Sequence, residues 1–464
     1  MVEVLPIQTP TLGDRSYLAH DGEVAVVIDP QRDIDRVAVL ADRKGVRITH
    51  VAETHMHNDY VSGGLALSRS AGAAYLVNAA DPVRFARDPV SDGDTVRVGR
   101  AMRIRVLATP GHTFSHLSYV LEADRTVAGV FTGGSLLFGS TGRPDLLGPA
   151  ATPALARAQH ASARLLAREL PDSAEIFPTH GFGSFCAATQ AQASSSTIGR
   201  EKQLNPALTL GEAAYVEELL AGLDAYPAYY ARMGPANLAG PAGPDLSPPR
   251  RAGPAEIAAR IASGEWVIDL RDRLAFAAGF VPGSFSFSLD TSFATYLGWV
   301  LPRDTPLTLL GQTPEQVARA QRELTRIGID RPAAAATGLA GQWSVGRLSR
   351  MRLATFADLA AFAGRGGHSG RPVVLDVRRH LEWADGHVAG AIHIPFSELP
   401  ARAGEVPAGE VWVYCHSGYR ATVAASILAA RGRGVVGVDD QFDNAGDSGL
   451  TIARSGGQPM QALR

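Results

Sequence analysis

A chain of 464 residues is long enough for about three domains, and 45% hydrophobic with 19% charged residues is the make-up of a globular protein, not a disordered one. With 44 Lys and Arg against 46 Asp and Glu the net charge is −2, which leaves no electrostatic case for nucleic acid as a partner. No apolar stretch approaches the ~18–20 residues of a membrane-spanning helix; with no signal-peptide pattern over residues 1–20 and only two distant cysteines, Cys186 and Cys415, a cytoplasmic chain without disulfides or membrane contact is expected.

Residues 1–190 alternate β-rich runs with helical ones. Strands are predicted at 25–30 (AVVIDP), 48–55, 73–78, 103–112, 127–134 and 175–181, and polar clusters gather where they end, as ligand-binding groups commonly do. His55 and His57 lie in THMHNDY and His112 in TPGHTFSH. A His-x-His pair lets two imidazoles reach one ion, and neutral imidazole suits Zn, Fe, Cu or Ni, so these three are candidate metal ligands. Residues 190–236 are predicted mostly helical, and the Pro- and Gly-rich segment 237–252 reads as a linker.

Beyond it lies an internal repeat. VIDLRDRLAFAAGFVPGSFSF (267–287) matches VLDVRRHLEWADGHVAGAIHI (374–394), pairing Asp269 with Asp376, Arg271 with Arg378 and Gly279 with Gly386, and a second block repeats further on. Two copies of one α/β domain are predicted, at 253–346 and 355–460. In the second, the strand VWVY runs into CHSGYR (415–420) and then a helical stretch. A strand–loop–helix turn aims the N–H groups of His416, Ser417, Gly418 and Tyr419 at one point. Together with the helix N-terminus and Arg420, it would stabilise the Cys415 thiolate and hold an anionic sulfur substrate. In the first copy Gly311 falls at the Cys415 position, Gln316 at that of Arg420 and Phe280 at that of His387, so a spacer or docking role is expected. Cys186 is read as buried packing.

The Cys-x-x-Gly-x-Arg loop, with LDVR (375–378) and GHVAGAIHIP (386–395) upstream, resembles the rhodanese family of sulfurtransferases. This implies Cys415 as nucleophile and Arg420 as a catalytic cation.

Residues 1–236 resemble the metallo-β-lactamase superfamily, in particular its glyoxalase II and persulfide dioxygenase branches. THMHNDY, TPGHTFSH, FTGGSLLFGSTGRPDL and PTHGFGSFC appear in the order of that superfamily's motifs. The resemblance implies an N-terminal αββα sandwich followed by two three-layer α/β rhodanese domains. It adds Asp59 and His180 as ligands of a second metal site and places Arg143 and Asp145 at the active site, either paired with each other or holding a thiol carrier. Two departures stand out. Tyr60 occupies the place of a ligating His, and Gly134 that of an Asp shared by both metals, so the second site is expected to be lost.

The expected function is oxidation of a low-molecular-weight thiol persulfide at one metal, Fe(II) or alternatively Zn, combined with transfer of sulfane sulfur among persulfide, thiosulfate and sulfite through Cys415. Two alternatives stay open: a zinc-dependent glyoxalase II-like thioester hydrolase, and a non-catalytic binding module serving the rhodanese domain. Relatives in the superfamily also suggest a homodimer.

Overall fold

The structure is a computed structural model that describes residues 2–124, 126–190, 192–290, 292–364 and 372–454. It divides into two compact units: residues up to 245 together with 324–329, and residues 246–323 together with those from 330 onward.

The first unit is built on two sheets. β1 (Glu3–Thr9), β2 (Asp14–His20), β3 (Val24–Ile28), β4 (Arg47–Ala52), β5 (Ala74–Asn78) and β6 (Asp88–Val90) lie in sequence order, antiparallel as far as β3 and parallel from there. β7 (Thr95–Val98), β8 (Met102–Ala108), β9 (Leu117–Ala123), β10 (Thr126–Gly133) and β11 (Glu175–Pro178) form the second, in the order β11-β10-β9-β8-β7. Strand periodicity distributes the side chains. Val26, Ile28, Ala52 and Leu76 pack inward against Ile104, Val106, Leu121 and Phe131 of the opposite sheet. The alternate residues Ala25, Val27 and Val51 face the helices Asp35–Lys44 and Gly64–Ala71, while Val120, Val130 and Ile176 face the helix Thr152–Glu169. The result is an αββα sandwich with the polar clusters at its strand ends.

The segment expected to be a linker from 237 begins inside the helix Tyr230–Ala239. Asn237 there is 2% exposed, accepts from the Ser62 N–H (2.8 Å) and donates to the carbonyls of His57 and Tyr60 (2.9 Å each). The helix therefore continues because its last turn carries a buried tie to the histidine loop.

In the second unit, β12 (Trp266–Asp269), β13 (Phe285–Ser286), β14 (Leu307–Gly311) and β15 (Ala334–Thr337) form a parallel sheet in the order β13-β12-β14-β15. β16 (Arg352–Ala354), β17 (Val373–Asp376), β18 (His387–Val388), β19 (Ile392–His393), β20 (Val411–Tyr414), β21 (Val435–Val438) and β22 (Ile452–Ala453) follow. Five of them pair as β16-β21-β20-β17-β19, all parallel, while β18 and β22 form a separate two-stranded ribbon. The second sheet thus repeats the strand order of the first and adds β16, which starts ahead of residue 355. Of the segment 355–460, residues 365–371 and 455–460 lie outside the described residues.

The repeat extends to side chains. Arg271 donates to Asp269 and to the Gly279 carbonyl (2.7 Å); Arg378 does the same with Asp376 and the Gly386 carbonyl (2.6 Å). Phe276 stacks on Phe280 at 4.3 Å, and at the equivalent positions Trp383 stacks on His387 at 3.4 Å. Among the described residues, no helix is long and apolar enough to cross a membrane.

Candidate functional sites

The histidine pocket forms where β4, β8, β10 and β11 end. Asp29, one residue beyond β3 and left-handed at φ 51°, is its hub: the Thr54 N–H and Oγ1 each donate to its carboxylate at 2.7 Å, and Thr179 Oγ1 donates to it as well. This fixes the start of the loop that carries His55, His57 and Asp59, all at most 1% exposed.

His112 lies between two glycines. A Cβ on Gly134 would stand 2.6 Å from its Cγ, and one on Gly142 2.6 Å from its Nδ1. The imidazole therefore takes up the space a side chain at 134 would need. His112 Nδ1 donates to the Arg143 carbonyl at 2.8 Å. His180, following β11, points its Nδ1 at Asp14 (3.0 Å) and Asp59 (3.2 Å), and its Nε2 lies 3.4 Å from that of His55.

Three overlapping donor groups result, each with its ligand atoms within 4.8 Å of one another: His55, His112 and His180; His57, Asp59 and His180; and Asp29, Glu53 and His57. His112 Nε2 and His57 Nδ1 are buried without a hydrogen-bond partner. Such orphans are rare in folded proteins, and the residues present fit a metal ion. Burial and the neighbouring imidazoles push His55 and His112 well below the ordinary histidine value, so both stay neutral with a lone pair available.

The grouping differs from the expected set of His55, His57 and His112. Nε2 of His57 faces Asp29 (3.3 Å), Glu53 (3.2 Å) and the Tyr60 hydroxyl (2.9 Å). Against the effect of burial, those two carboxylates raise its pKa to about 10. Tyr60 donates to the Asp29 carbonyl at 3.2 Å, and burial raises its phenol far above the ordinary value, which keeps it a neutral hydrogen-bonding group. Asp14, Asp29, Glu53 and Asn237 escaped sequence reasoning. They lie in four separate segments without a spacing signature, and only the fold collects them.

Arg143 is paired with Asp145. Its guanidinium forms two 2.7 Å hydrogen bonds with Asp145, donates to the Asp224 carbonyl (2.7 Å) and lies 4.6 Å from the Tyr226 ring. At 4% exposure it pins the loop whose carbonyl holds His112, and its pairing with Asp145 is one of the two arrangements expected for these residues. Cys186 is fully buried, and that burial pushes its thiol well up.

In the second unit, Cys415 follows β20 at 2% exposure, and the Gly418 N–H donates to its Sγ at 3.1 Å. Gly418 is left-handed (φ 93°), and a Cβ there would run into the Asp439 carboxylate. Glycine is thus required twice over. His416 is exposed and Ser417 partly so. The Arg420 side chain is paired: its two terminal nitrogens bind Glu382 at 2.6 and 2.7 Å. Although burial alone would raise the Glu382 carboxyl, Arg420 holds it down at about 2. The Tyr419 hydroxyl is spent as well, donating to the Ser288 carbonyl of the first copy at 3.2 Å.

The cysteine-less copy also reaches the Cys415 loop elsewhere. Arg273 pairs with Asp439 at 2.6 Å, and Tyr296, on the helix Phe293–Val300, packs on Phe396 (4.9 Å) and Tyr419 (5.5 Å).

The rhodanese-like domain family matches residues 359–443 and the metallo-beta-lactamase superfamily residues 12–180. Over 211 residues, 45% of this chain and 74% of the relative, the sequence is 31% identical to the human (Homo sapiens) mitochondrial persulfide dioxygenase ETHE1. It is 35% identical to a hydroxyacylglutathione hydrolase of Rhodopseudomonas palustris over 132 residues, 27% of this chain and 49% of that protein. A crystal structure of a metallo-beta-lactamase from Staphylococcus aureus subsp. aureus COL matches with a TM-score of 0.65 at 28% identity, over 72% of this chain and 99% of that one. Fold and pocket thus define a metallo-β-lactamase-type domain joined to a rhodanese-like domain. Within that class, the chain belongs to the persulfide dioxygenase family.

Proposed function

We propose that the chain oxidises a low-molecular-weight thiol persulfide at a single metal ion in the histidine pocket and transfers sulfane sulfur through Cys415. The observation that carries this is a set of buried, unpartnered imidazole nitrogens in the same chain as a rhodanese-type cysteine loop. The persulfide dioxygenase relatives support it.

A redox-active ion such as Fe(II) would supply the activation of O₂. In the balanced reaction, a persulfide R–S–SH with O₂ and water gives the thiol R–SH, sulfite and two protons; the terminal sulfur is oxidised and O₂ is reduced. The protein's part is to hold the imidazoles in place through Thr54, Asp14 and the Arg143 carbonyl, and to keep the pocket closed to bulk water. At Cys415, the thiolate attacks the outer sulfur of R–S–SH, forming a new S–S bond while R–S⁻ leaves. Sulfite then attacks the terminal sulfur of the Cys415 persulfide, releasing thiosulfate and restoring the thiolate. Gly418 N–H steadies the anionic sulfur in both steps.

The test pairs metal analysis of the purified protein with O₂ uptake on adding glutathione persulfide as probe. Bound iron with persulfide-dependent O₂ uptake and sulfite formation is expected. Bound zinc with thioester hydrolysis and no O₂ uptake would replace this by the hydrolase reading, which the hydroxyacylglutathione hydrolase relatives favour. No metal, with Cys415-dependent transfer intact, would leave a binding module.

A further inference from the structure

We infer that the pocket binds one divalent first-row transition metal through Nε2 of His55, His112 and His180, the last taking the place of the carboxylate absent at Gly134. This deepens the metal-dependent reading above, yet it stands or falls by metal binding alone, whatever the substrate.

Five buried histidines surround the pocket, and their hydrogen bonds sort them. His55 Nδ1 lies 2.9 Å from Thr54 Oγ1, whose own proton goes to the Asp29 carboxylate, so the imidazole is the donor. His112 Nδ1 faces a carbonyl and His180 Nδ1 a carboxylate, both acceptors only. In all three rings Nδ1 is thus the donor, which leaves Nε2 as the atom that can face a metal ion. These are the nitrogens that meet: 3.4 Å separates those of His55 and His180, and that of His112 is fully buried with no partner. An outward Nδ1–H held by an oxygen acceptor is the support that metal-ligating histidines require.

The other two do not join this set. His116 Nε2 accepts from the Gly134 N–H at 2.9 Å, and its Nδ1 is bonded to Thr109 Oγ1 at 2.9 Å. His57 has its Nε2 among Asp29, Glu53 and the Tyr60 hydroxyl, while its unpartnered Nδ1 falls in a separate donor group with Asp59 and His180, outside the set of three.

The packing at Gly134 accounts for the missing carboxylate in the third motif. A side chain there would displace the His112 ring, so glycine at 134 and the inward His112 are two parts of one arrangement. Three neutral ligands leave the ion its full charge, which favours an anionic sulfur ligand over a neutral thioester.

The experiment titrates metal-stripped full-length protein with Co(II) as a spectroscopic probe. One Co(II) per chain is expected, lost in His112→Asn and His180→Asn but kept in His57→Gln. Asp14→Asn, which removes the charge behind His180, should weaken Co(II) by about 10- to 100-fold. Sulfur transfer from thiosulfate through Cys415 and the melting curve report whether each variant is folded. Retention in His180→Asn with loss in His57→Gln overturns the assignment, as does wild-type protein that takes up no Co(II). Should His57→Gln fail to fold, the paramagnetically shifted signals of the wild-type Co(II) protein decide: three exchangeable Nδ1–H signals are expected, and fewer, or a set unchanged in His180→Asn, overturn it.

Discussion

Gly134 and Gly142 decide where His112 can sit, and this makes an apparent repair a damaging change. Gly134→Asp supplies the carboxylate that the superfamily resemblance implies at this position, but its Cβ would stand 2.6 Å from the His112 Cγ. Overpacking of this kind costs about 1–3 kcal/mol. Gly134→Asp should therefore lower the melting temperature and weaken metal binding; a stable variant with tighter metal would show that His112 can step aside. At Glu382 the sign of a pH effect follows from the Arg420 pair. Its folded-state pKa of about 2 lies below the ordinary 4.5, so the stabilisation is present above pH 4.5 and fades as pH falls towards 2. A shift of that size is worth on the order of 3 kcal/mol. Denaturant melts should show Glu382→Gln markedly less stable than wild type near neutral pH and the gap closing at about pH 2–3; a gap independent of pH would refute the assignment. Residue identities such as His112, Gly134 and Cys415 were legible in the sequence. Their protonation and partners were not, because those depend on Asp29, Asp14 and Glu382, which reach the sites from distant segments.

At the scale of elements, the cysteine-less copy is tied to the working loop through Arg273, Asp439 and Gly418. Asp439 occupies the space next to Gly418 while its carboxylate holds Arg273, so the loop's N–H groups are aligned partly from outside their own domain. Arg273→Gln should reduce kcat/KM for thiosulfate by roughly 10-fold, since small misplacements at a reacting centre are costly. The ion pair is partly exposed and should contribute at most about 1 kcal/mol to stability. Unchanged kinetics would return the first copy to the role of spacer. The repeat itself was legible, because Asp269–Arg271–Gly279 and Asp376–Arg378–Gly386 build the same hydrogen-bond network in both copies. The helix Phe293–Val300 was not, being apolar almost throughout and without a periodic face. β1, β2, β6, β7 and β9 were not legible either, since their mixed or short runs became recognisable as strands only with their sheet partners.

For the whole molecule, the αββα and rhodanese-like architectures were legible because their motifs lie at strand ends in a fixed order. The division of the chain was less so: residues 324–329 cluster with the first unit although they lie within the segment read as the first copy. If the two units carry the two chemistries proposed above, a change in stoichiometry follows. If sulfite formed at the metal is consumed by the Cys415 persulfide, two thiol persulfides are used per O₂: one is oxidised, and the other supplies the outer sulfur of thiosulfate. Placing both sites on one chain raises the local concentration of the shared sulfite. Cys415→Ser removes only the second use. O₂ uptake should therefore persist, the ratio should rise from one O₂ per two persulfides to one per persulfide, and the product should change from thiosulfate to sulfite. An oxygen electrode with ion chromatography of the products measures all three. If Cys415→Ser abolished O₂ uptake, the oxidation would need the Cys415 persulfide itself as its substrate, and the two chemistries could not be independent.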